Sequence, residues 1–127
     1  MKPETWGLFP WFPESSEGLV HAEDIVTVKR LMPYGKVFQR TETSGVFDIF
    51  TYGDVTFRGK REFFKTVRPP NKQIGDRVFI SSNGERVQGV IIEIMWHFEK
   101  NSPFYILAIE GKRKSKRYWE SDFLNVD

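Results

Sequence analysis

The stretch that decides the fold is RVFISSNGERVQGVIIEIMWH, residues 77–97. Asn83-Gly84 lies between two runs of apolar and β-branched residues, and this dipeptide favours the two-residue turn of a β-hairpin. The run after the turn is long for a strand, and its apolar side chains recur at every second position: Val90, Ile92, Ile94 and Trp96. Gly89 stands where a bulge would bend the strand. The stretch therefore predicts a hairpin whose second strand bends from one sheet into another.

The residues on either side of this hairpin predict further short strands. Phe104–Ile109 and Lys112–Trp119 follow it, separated by turn residues. About five short antiparallel strands within residues 71–127 are typical of a small SH3-like β-barrel. Pro69-Pro70 cannot donate to a strand ladder and favours an extended connector, so we expect the barrel to be a separate unit.

Residues 1–70 predict an aromatic arm, one helix and an antiparallel β-meander. Trp6–Pro13 mixes bulky apolar residues with prolines, which exclude a regular helix and a central strand there; the arm either covers apolar surface or docks a partner. His21–Met32 has apolar residues at helical spacing, with His21 at the N-cap position. Strands alternate with turns from Lys36 to Arg68. The whole chain thus reads as mostly β with one short helix, an α+β fold, in two units or one compact domain.

Composition excludes several functional classes. The 127 residues include no cysteine, which excludes thiolate zinc sites, thiol catalysis and a disulfide scaffold and fits a reducing cytoplasm. Twelve phenylalanines argue against disorder. The first residues lack the apolar core of a signal peptide, and no apolar run approaches the length of a membrane span. We expect a soluble, cytoplasmic protein that does not enter a membrane.

Groups that perform catalysis are scarce in this sequence. There are two histidines, His21 and His97, and no phosphate-binding glycine loop. Glu93 and His97 share a strand face, but residues four apart on a strand are about 13 Å apart, too far for one metal ion. The sequence predicts no catalytic residue, no metal site, no cofactor and no enzymatic activity.

The most conspicuous motif is the basic run Lys112–Arg117, in which five of six residues are Lys or Arg. On a strand, its lysines and arginines point to opposite faces. Three interpretations remain open: a protected sheet edge, an acidic protein partner, or nucleic-acid binding through phosphate contacts. The first includes cover by acidic residues of this chain: Glu4, Glu14, Glu17, Glu23 and Asp24. In the third, the phosphate contacts would be made by Lys112, Lys114 and Lys116.

Our leading hypothesis is a noncatalytic cytoplasmic module that binds another protein. Trp, Tyr and Arg are enriched among the residues that dominate binding energy at interfaces. The predicted binding residues are Trp11, Trp96, Arg113, Arg117, Tyr118 and Trp119. The alternative is a barrel that binds RNA or single-stranded DNA through the basic C-terminal strand. The sequence does not predict the partner's identity or an oligomeric state.

Several motifs give the chain a family resemblance. They are Gly7–Pro13, His21–Ile25, Pro33–Phe38, Trp96-His97 and Gly111–Trp119. In these motifs the chain resembles a group of small bacterial proteins of unknown function, which implies no activity and no catalytic residues. The C-terminal half resembles SH3-like, Tudor and KOW-type barrels, which bind peptides, modified side chains or RNA. In size and composition the chain is also similar to small immunity proteins that neutralise toxins.

Overall fold

The computed structural model describes residues 5–15 and 18–125, with the backbone alone at Ser44. The chain divides into two compact units, the first ending at Pro69 and the second beginning at Pro70. Each unit contains one antiparallel sheet, and the described residues include one short α-helix. The predicted class, mostly β with one short helix, is confirmed. No helix in the described part of the chain is long and apolar enough to cross a bilayer.

The first unit is a five-stranded sheet in the order β4-β3-β2-β1-β5. Its strands are β1 (Thr5–Leu8), β2 (Val37–Ser44), β3 (Phe47–Tyr52), β4 (Val55–Lys60) and β5 (Lys65–Val67). The meander of β2, β3 and β4 is present, with all neighbours antiparallel. β5, near the end of the segment Lys36–Arg68 in which strands are predicted, does not extend this meander, because it pairs with β1 at the opposite edge of the sheet.

The irregular arm predicted at the start of the chain is wrong for its first residues. Thr5–Leu8 forms β1, an inner strand that pairs with both β2 and β5. The prolines do not prevent this, because Pro10 comes only after the strand has ended. Beyond β1, the ring of Phe9 packs against Phe50 and Phe57 at centroid distances of 5.3 and 5.2 Å. Trp6, Phe9 and Trp11 of the arm thus belong to the core of this unit, whereas Phe12 is 48% exposed.

The helical segment begins as the sequence predicted. His21 is the N-cap of a 3₁₀ turn, Ala22–Asp24, and its Nδ1 accepts a hydrogen bond from the Glu23 N–H at 3.1 Å. The turn leads into α1 (Ile25–Leu31), which ends at Met32 in a left-handed conformation with φ 52°. The predicted capping role of His21 is therefore confirmed.

Arginines of the first unit are bound to carboxylates. Asp48 is fully buried and accepts hydrogen bonds from Arg40 at 3.1 Å and from Arg61 Nη2 at 2.8 Å. Asp24 accepts the backbone N–H and the Nε of Arg58, each at 2.8 Å. The Arg58 side chain lowers the pKa of Asp24 below its usual value, chiefly through this hydrogen bond. These pairs join separate elements of the unit.

The second unit is a four-stranded sheet in the order β6-β7-β8-β9. Its strands are β6 (Arg77–Ser82), β7 (Glu85–His97), β8 (Ser102–Ile109) and β9 (Lys112–Arg113), and a 3₁₀ turn follows at Glu120–Asp122. The hairpin at Asn83-Gly84 is confirmed, with Ser82 paired to Glu85 and both turn residues at positive φ. This hairpin sets the register of β6 against β7.

The bend in β7 lies three residues beyond the predicted position. The register against β8 shifts between Ile91 and Glu93, which makes Ile92 the additional residue, whereas Gly89 remains in register with Val78. Ile91, Ile94 and Trp96 are therefore the inward residues. The prediction that Val90 and Ile92 share their face is wrong, because the bulge reverses the alternation.

The small five-stranded SH3-like barrel that the sequence predicts is not present as a closed barrel. Within the described residues, β6 pairs with β7 alone and β9 with β8 alone, so the sheet stays open. The strand predicted over Lys112–Trp119 ends at Arg113. The cause lies in the ladder: Lys114 donates to Leu107 and Tyr118 pairs with Tyr105, so three residues oppose Ile106 alone. A bulge of this size interrupts the strand that closure would need.

Candidate binding surface

In the segment from Lys112 to Trp119, the arginines and the lysines contact different parts of the second unit. Arg113 reaches Glu93, and the Arg117 guanidinium lies 4.8 Å from the centroid of the Phe104 ring. Lys112, Lys114 and Lys116 instead line a groove. The strand alternation predicted for the basic run applies only as far as Arg113, where β9 ends, and Ser115 lines the groove together with the lysines. The lysines and the two arginines nevertheless have different neighbours.

The first of these parts is a group that we call the aromatic–cation cluster: His97, Lys100, Phe104, Arg117 and Trp119. The Trp119 ring lies 5.5 Å from both His97 and Phe104, measured between centroids. The Lys100 ammonium stands 4.5 Å from the Trp119 centroid. Cation–π contacts of this length hold a positive charge against the ring face. The cluster thus joins three aromatic rings to two cations.

Local hydrogen bonds hold the cluster residues in place. His97 ends β7, and its Nδ1 accepts the Lys100 N–H at 3.1 Å, which closes the turn that brings Lys100 back. The Trp119 N–H donates to Asp122 Oδ2 at 2.8 Å and starts the last 3₁₀ turn. The His97 and Asp122 side chains are therefore each bound to a backbone N–H, which fixes the turn after β7 and the turn that begins at Trp119.

A second network anchors the turn that follows Trp119. The Tyr105 hydroxyl donates to Glu120 Oε2 at 2.8 Å, and Glu120 also accepts two hydrogen bonds from Asn71. Burial first, and the Glu120 contact second, raise the pKa of Tyr105. The phenol therefore holds this turn as a hydrogen-bond donor to Glu120.

The cluster is partly open to solvent. Trp119 and His97 are half-buried, Lys100 and Arg117 are exposed, and Phe104 beneath them is buried. A surface of this kind offers an apolar base with two positive charges on it. It fits a partner with apolar side chains and carboxylates, because both desolvated rings and paired charges then contribute.

The structure removes three of the predicted binding residues from the surface. Trp11, Trp96 and Tyr118 have exposed fractions of 5%, 6% and 7%. Trp96 lies on the inward face of β7, and Tyr118 is bridged to β8 through Tyr105. These three are core residues, so we do not keep them as candidate contacts.

The other three predicted binding residues differ in their partners. Arg113 is exposed but donates to Glu93 at 2.6 Å, so its charge is already paired. Arg117 and Trp119 belong to the aromatic–cation cluster. The cluster therefore keeps two of the six predicted residues as a surface site.

The second of these parts is a groove of about 490 Å³ that we call the lysine groove. Its apolar lining includes Ile80, Val87 and Ile109, and its basic lining is Lys112, Lys114 and Lys116. Glu110 is the one carboxylate among the lining residues. Within the part of the chain that is described, none of the three lysines forms an ion pair.

Comparison with known proteins gives one family. The profile of a "Family of unknown function (DUF6960)" matches residues 1–124. The chain belongs to this family. No curated protein and no solved structure matches it significantly. The aromatic–cation cluster and the lysine groove are therefore the features from which we infer a function.

Three members of the cluster were not predicted as binding residues. From the sequence, His97 is a candidate for a metal ligand or an acid–base group, Lys100 lies in a predicted turn and Phe104 lies in a predicted strand. The sequence indicates these residues only weakly, through the turn after His97. This turn reverses the chain direction, so that Lys100 and Phe104 lie beside the end of β7. Contacts to Trp119 depend on the bulge that precedes it, which the sequence pattern does not reveal.

The structure also locates the residues considered for chemistry and for covering the basic run. Glu93 is bound to Arg113, whereas His97 lies in the aromatic–cation cluster. Among residues 5–15 and 18–125, no three potential metal ligands come together. Glu23 and Asp24 bind Arg58, and Glu4 and Glu17 lie outside the described residues.

Proposed function

We propose that this chain is a noncatalytic module of the bacterial cytoplasm that binds another protein through the aromatic–cation cluster. The observation that carries the proposal is the half-buried Trp119 ring, packed against Phe104 and flanked by the exposed cations Lys100 and Arg117. Trp and Arg side chains in such a setting are the residues that most often dominate binding energy. The partner that this surface favours has carboxylates beside an apolar patch.

The positions of the cations favour a protein over a nucleic acid. Single-stranded nucleic acids bind such surfaces by stacking bases on free ring faces. Here Lys100 stands over Trp119 at 4.5 Å and Arg117 over Phe104 at 4.8 Å, so a base would have to displace a cation from each ring. A carboxylate instead approaches the outer side of the same cations without disturbing the rings.

The contacts of Glu93 and His97, the two residues considered for acid–base chemistry, support a noncatalytic role. Glu93 is held by Arg113 at 2.6 Å. The Nδ1 of His97 accepts a backbone hydrogen bond, and its ring packs against Trp119. A general base needs a lone pair that is available to a substrate proton, and both groups are committed to structural contacts.

The proposal is tested by quantitative capture of partners from the native host. The wild-type chain is compared with Trp119→Ala and Arg117→Glu. Arg86→Glu is the matched control, because Arg86 is also an exposed arginine over a ring, 4.4 Å from the Phe79 centroid. We expect one protein partner whose recovery falls about tenfold in both cluster variants and is unchanged in the control.

Two outcomes would contradict the proposal. One is a captured set that is the same for the wild type and the cluster variants. The other is binding to RNA or single-stranded DNA that weakens steeply with salt and has a shallower salt slope when Lys112, Lys114 and Lys116 are replaced. The second outcome would assign the nucleic-acid function instead.

A further inference from the structure

All four strands of the second sheet contribute to the lining of the lysine groove: Ile80 and Ser82 on β6, Val87 on β7, Ile109 on β8 and Lys112 on β9. The segment after β9 adds Lys114, Ser115, Lys116 and Tyr118. An edge strand and an extended basic segment therefore border one groove. Its volume, about 490 Å³, lies within the range of ligand-binding clefts.

The charge of the groove sets the sign of its ligand. Lys112, Lys114 and Lys116 contribute three positive charges, and Glu110 contributes one negative charge. None of the three lysines is paired with a carboxylate within the described residues. A groove lined by more positive than negative charges favours an anionic ligand.

The apolar lining sets the kind of anion. Ile80, Val87 and Ile109 present aliphatic surface, and the one lining aromatic ring, Tyr118, is 7% exposed. Bases of a nucleic acid find no ring to stack on there. A peptide in extended conformation directs alternate side chains to opposite sides, so it can place acidic groups on the lysines and apolar groups on the lining.

We propose that the lysine groove binds an extended peptide segment in which acidic and apolar residues alternate. The site is distinct from the aromatic–cation cluster, because no residue that lines the groove belongs to the cluster. The occupant is a segment of a partner protein. Its acidic side chains pair with Lys112, Lys114 and Lys116, and its apolar side chains cover the aliphatic lining.

The test uses the full chain and a synthetic peptide that alternates Glu and Val, with both ends blocked. Binding is followed by fluorescence anisotropy and by backbone amide NMR shifts. We expect the peptide to shift the signals of Ile80, Val87 and Ile109, and a peptide that alternates Lys and Val to leave them in place. Shifts confined to His97 and Trp119 would overturn the proposal.

The matched variants separate the groove from net charge. The groove variant is Lys112→Glu, Lys114→Glu and Lys116→Glu. The control makes the same charge change at exposed residues of the first unit: Lys29→Glu, Arg30→Glu and Lys65→Glu. We expect the groove variant to bind the acidic peptide about tenfold more weakly or worse, and the control to stay within about twofold. Equal losses in both would overturn the proposal.

Competition distinguishes the peptide from other anions. Oligo(dT) and inorganic tripolyphosphate are titrated at the same concentration of negative charge as the peptide. We expect neither to displace it. Displacement by oligo(dT) would assign the groove to nucleic acid, and displacement by tripolyphosphate would reduce it to a nonspecific anion site. If the Glu variant does not fold, Lys→Gln at the same three positions must still weaken peptide binding.

Discussion

Three arginines of the first unit and three lysines of the second unit differ in whether a carboxylate binds them. In the first unit, Arg40 and Arg61 share the buried Asp48, and Arg58 is bound to Asp24. In the second unit, the lysines of the groove have no carboxylate partner among the described residues. Arginine forms planar, multiple hydrogen bonds with a carboxylate, whereas lysine is a mobile point charge.

This difference indicates which charged groups stabilise the fold. A buried carboxylate without its arginines would be an uncompensated charge, so the pairs of the first unit are needed for folding. The three lysines of the groove form no such ion pair within the described residues, and the Lys116 Nζ lies 5.2 Å from the centroid of the Tyr118 ring. We interpret the first set as structural and the second as available to a ligand.

The largest effect is expected at the buried carboxylate of the first unit. Asp48→Asn removes the charge that Arg40 and Arg61 share while keeping the shape of the side chain. We expect the free energy of unfolding of the first unit to fall by about 3 kcal/mol, measured by urea titration. Glu42→Gln, an exposed carboxylate on β2, is the control and should have little effect. A small loss for Asp48→Asn would show that the pairs are not needed for folding.

The next effect depends on pH. Because hydrogen bonds from Arg58 lower the pKa of Asp24 in the folded state, its contribution to stability is complete above the unfolded pKa and is lost as pH falls through the folded pKa. We expect Asp24→Asn to cost about 1–2 kcal/mol at neutral pH, and the difference from wild type to shrink below about pH 4. Urea unfolding at both pH values measures it.

The control for Asp24 is Asp54→Asn, an exposed carboxylate in the turn between β3 and β4. Its difference from wild type should be small at both pH values. A difference for Asp24→Asn that is the same in acid and at neutral pH would contradict the assigned role of Arg58.

The smallest effect is expected for the exposed pair of the second unit. Arg113→Ala removes the contact to Glu93, in which the Arg113 side chain is 59% exposed. Because water screens such a pair, we expect a loss of about 0.5 kcal/mol in the free energy of unfolding. Arg113→Lys should restore part of it. A loss as large as that of Asp48→Asn would remove the contrast between the two units.

The fold was predictable where one local pattern decides it. Asn83-Gly84 favours a two-residue hairpin turn, and His21 directly precedes a helical run, where the N-cap is expected. Closure into a barrel failed as a prediction because it depends on a bulge in the ladder between β8 and Lys114–Tyr118. The pairing of β1 with two strands likewise depends on contacts far apart in sequence, which periodicity does not report.

The candidate sites were predictable in residue type and only partly in position. The lysines of the basic run do have different neighbours from Arg113 and Arg117, but the strand alternation that predicts this ends with β9 at Arg113. Large aromatic residues alone do not show whether they are buried, and Trp11 and Trp96 proved to belong to the core. His97 and Lys100 belong to the aromatic–cation cluster because the turn after β7 brings them together, and no linear motif connects them to Trp119.

The most direct test of the division between structural and ligand-binding charges compares two variants in two measurements. Asp48→Asn and the triple lysine-to-glutamate variant of the groove are each assayed for urea unfolding and for binding of the alternating Glu and Val peptide. We predict that Asp48→Asn lowers the free energy of unfolding and leaves the Kd of the folded protein within about twofold. The lysine variant should keep its free energy of unfolding within about 0.5 kcal/mol and bind at least about tenfold more weakly. A lysine variant that is as unstable as Asp48→Asn, or that binds the peptide like wild type, would contradict the account.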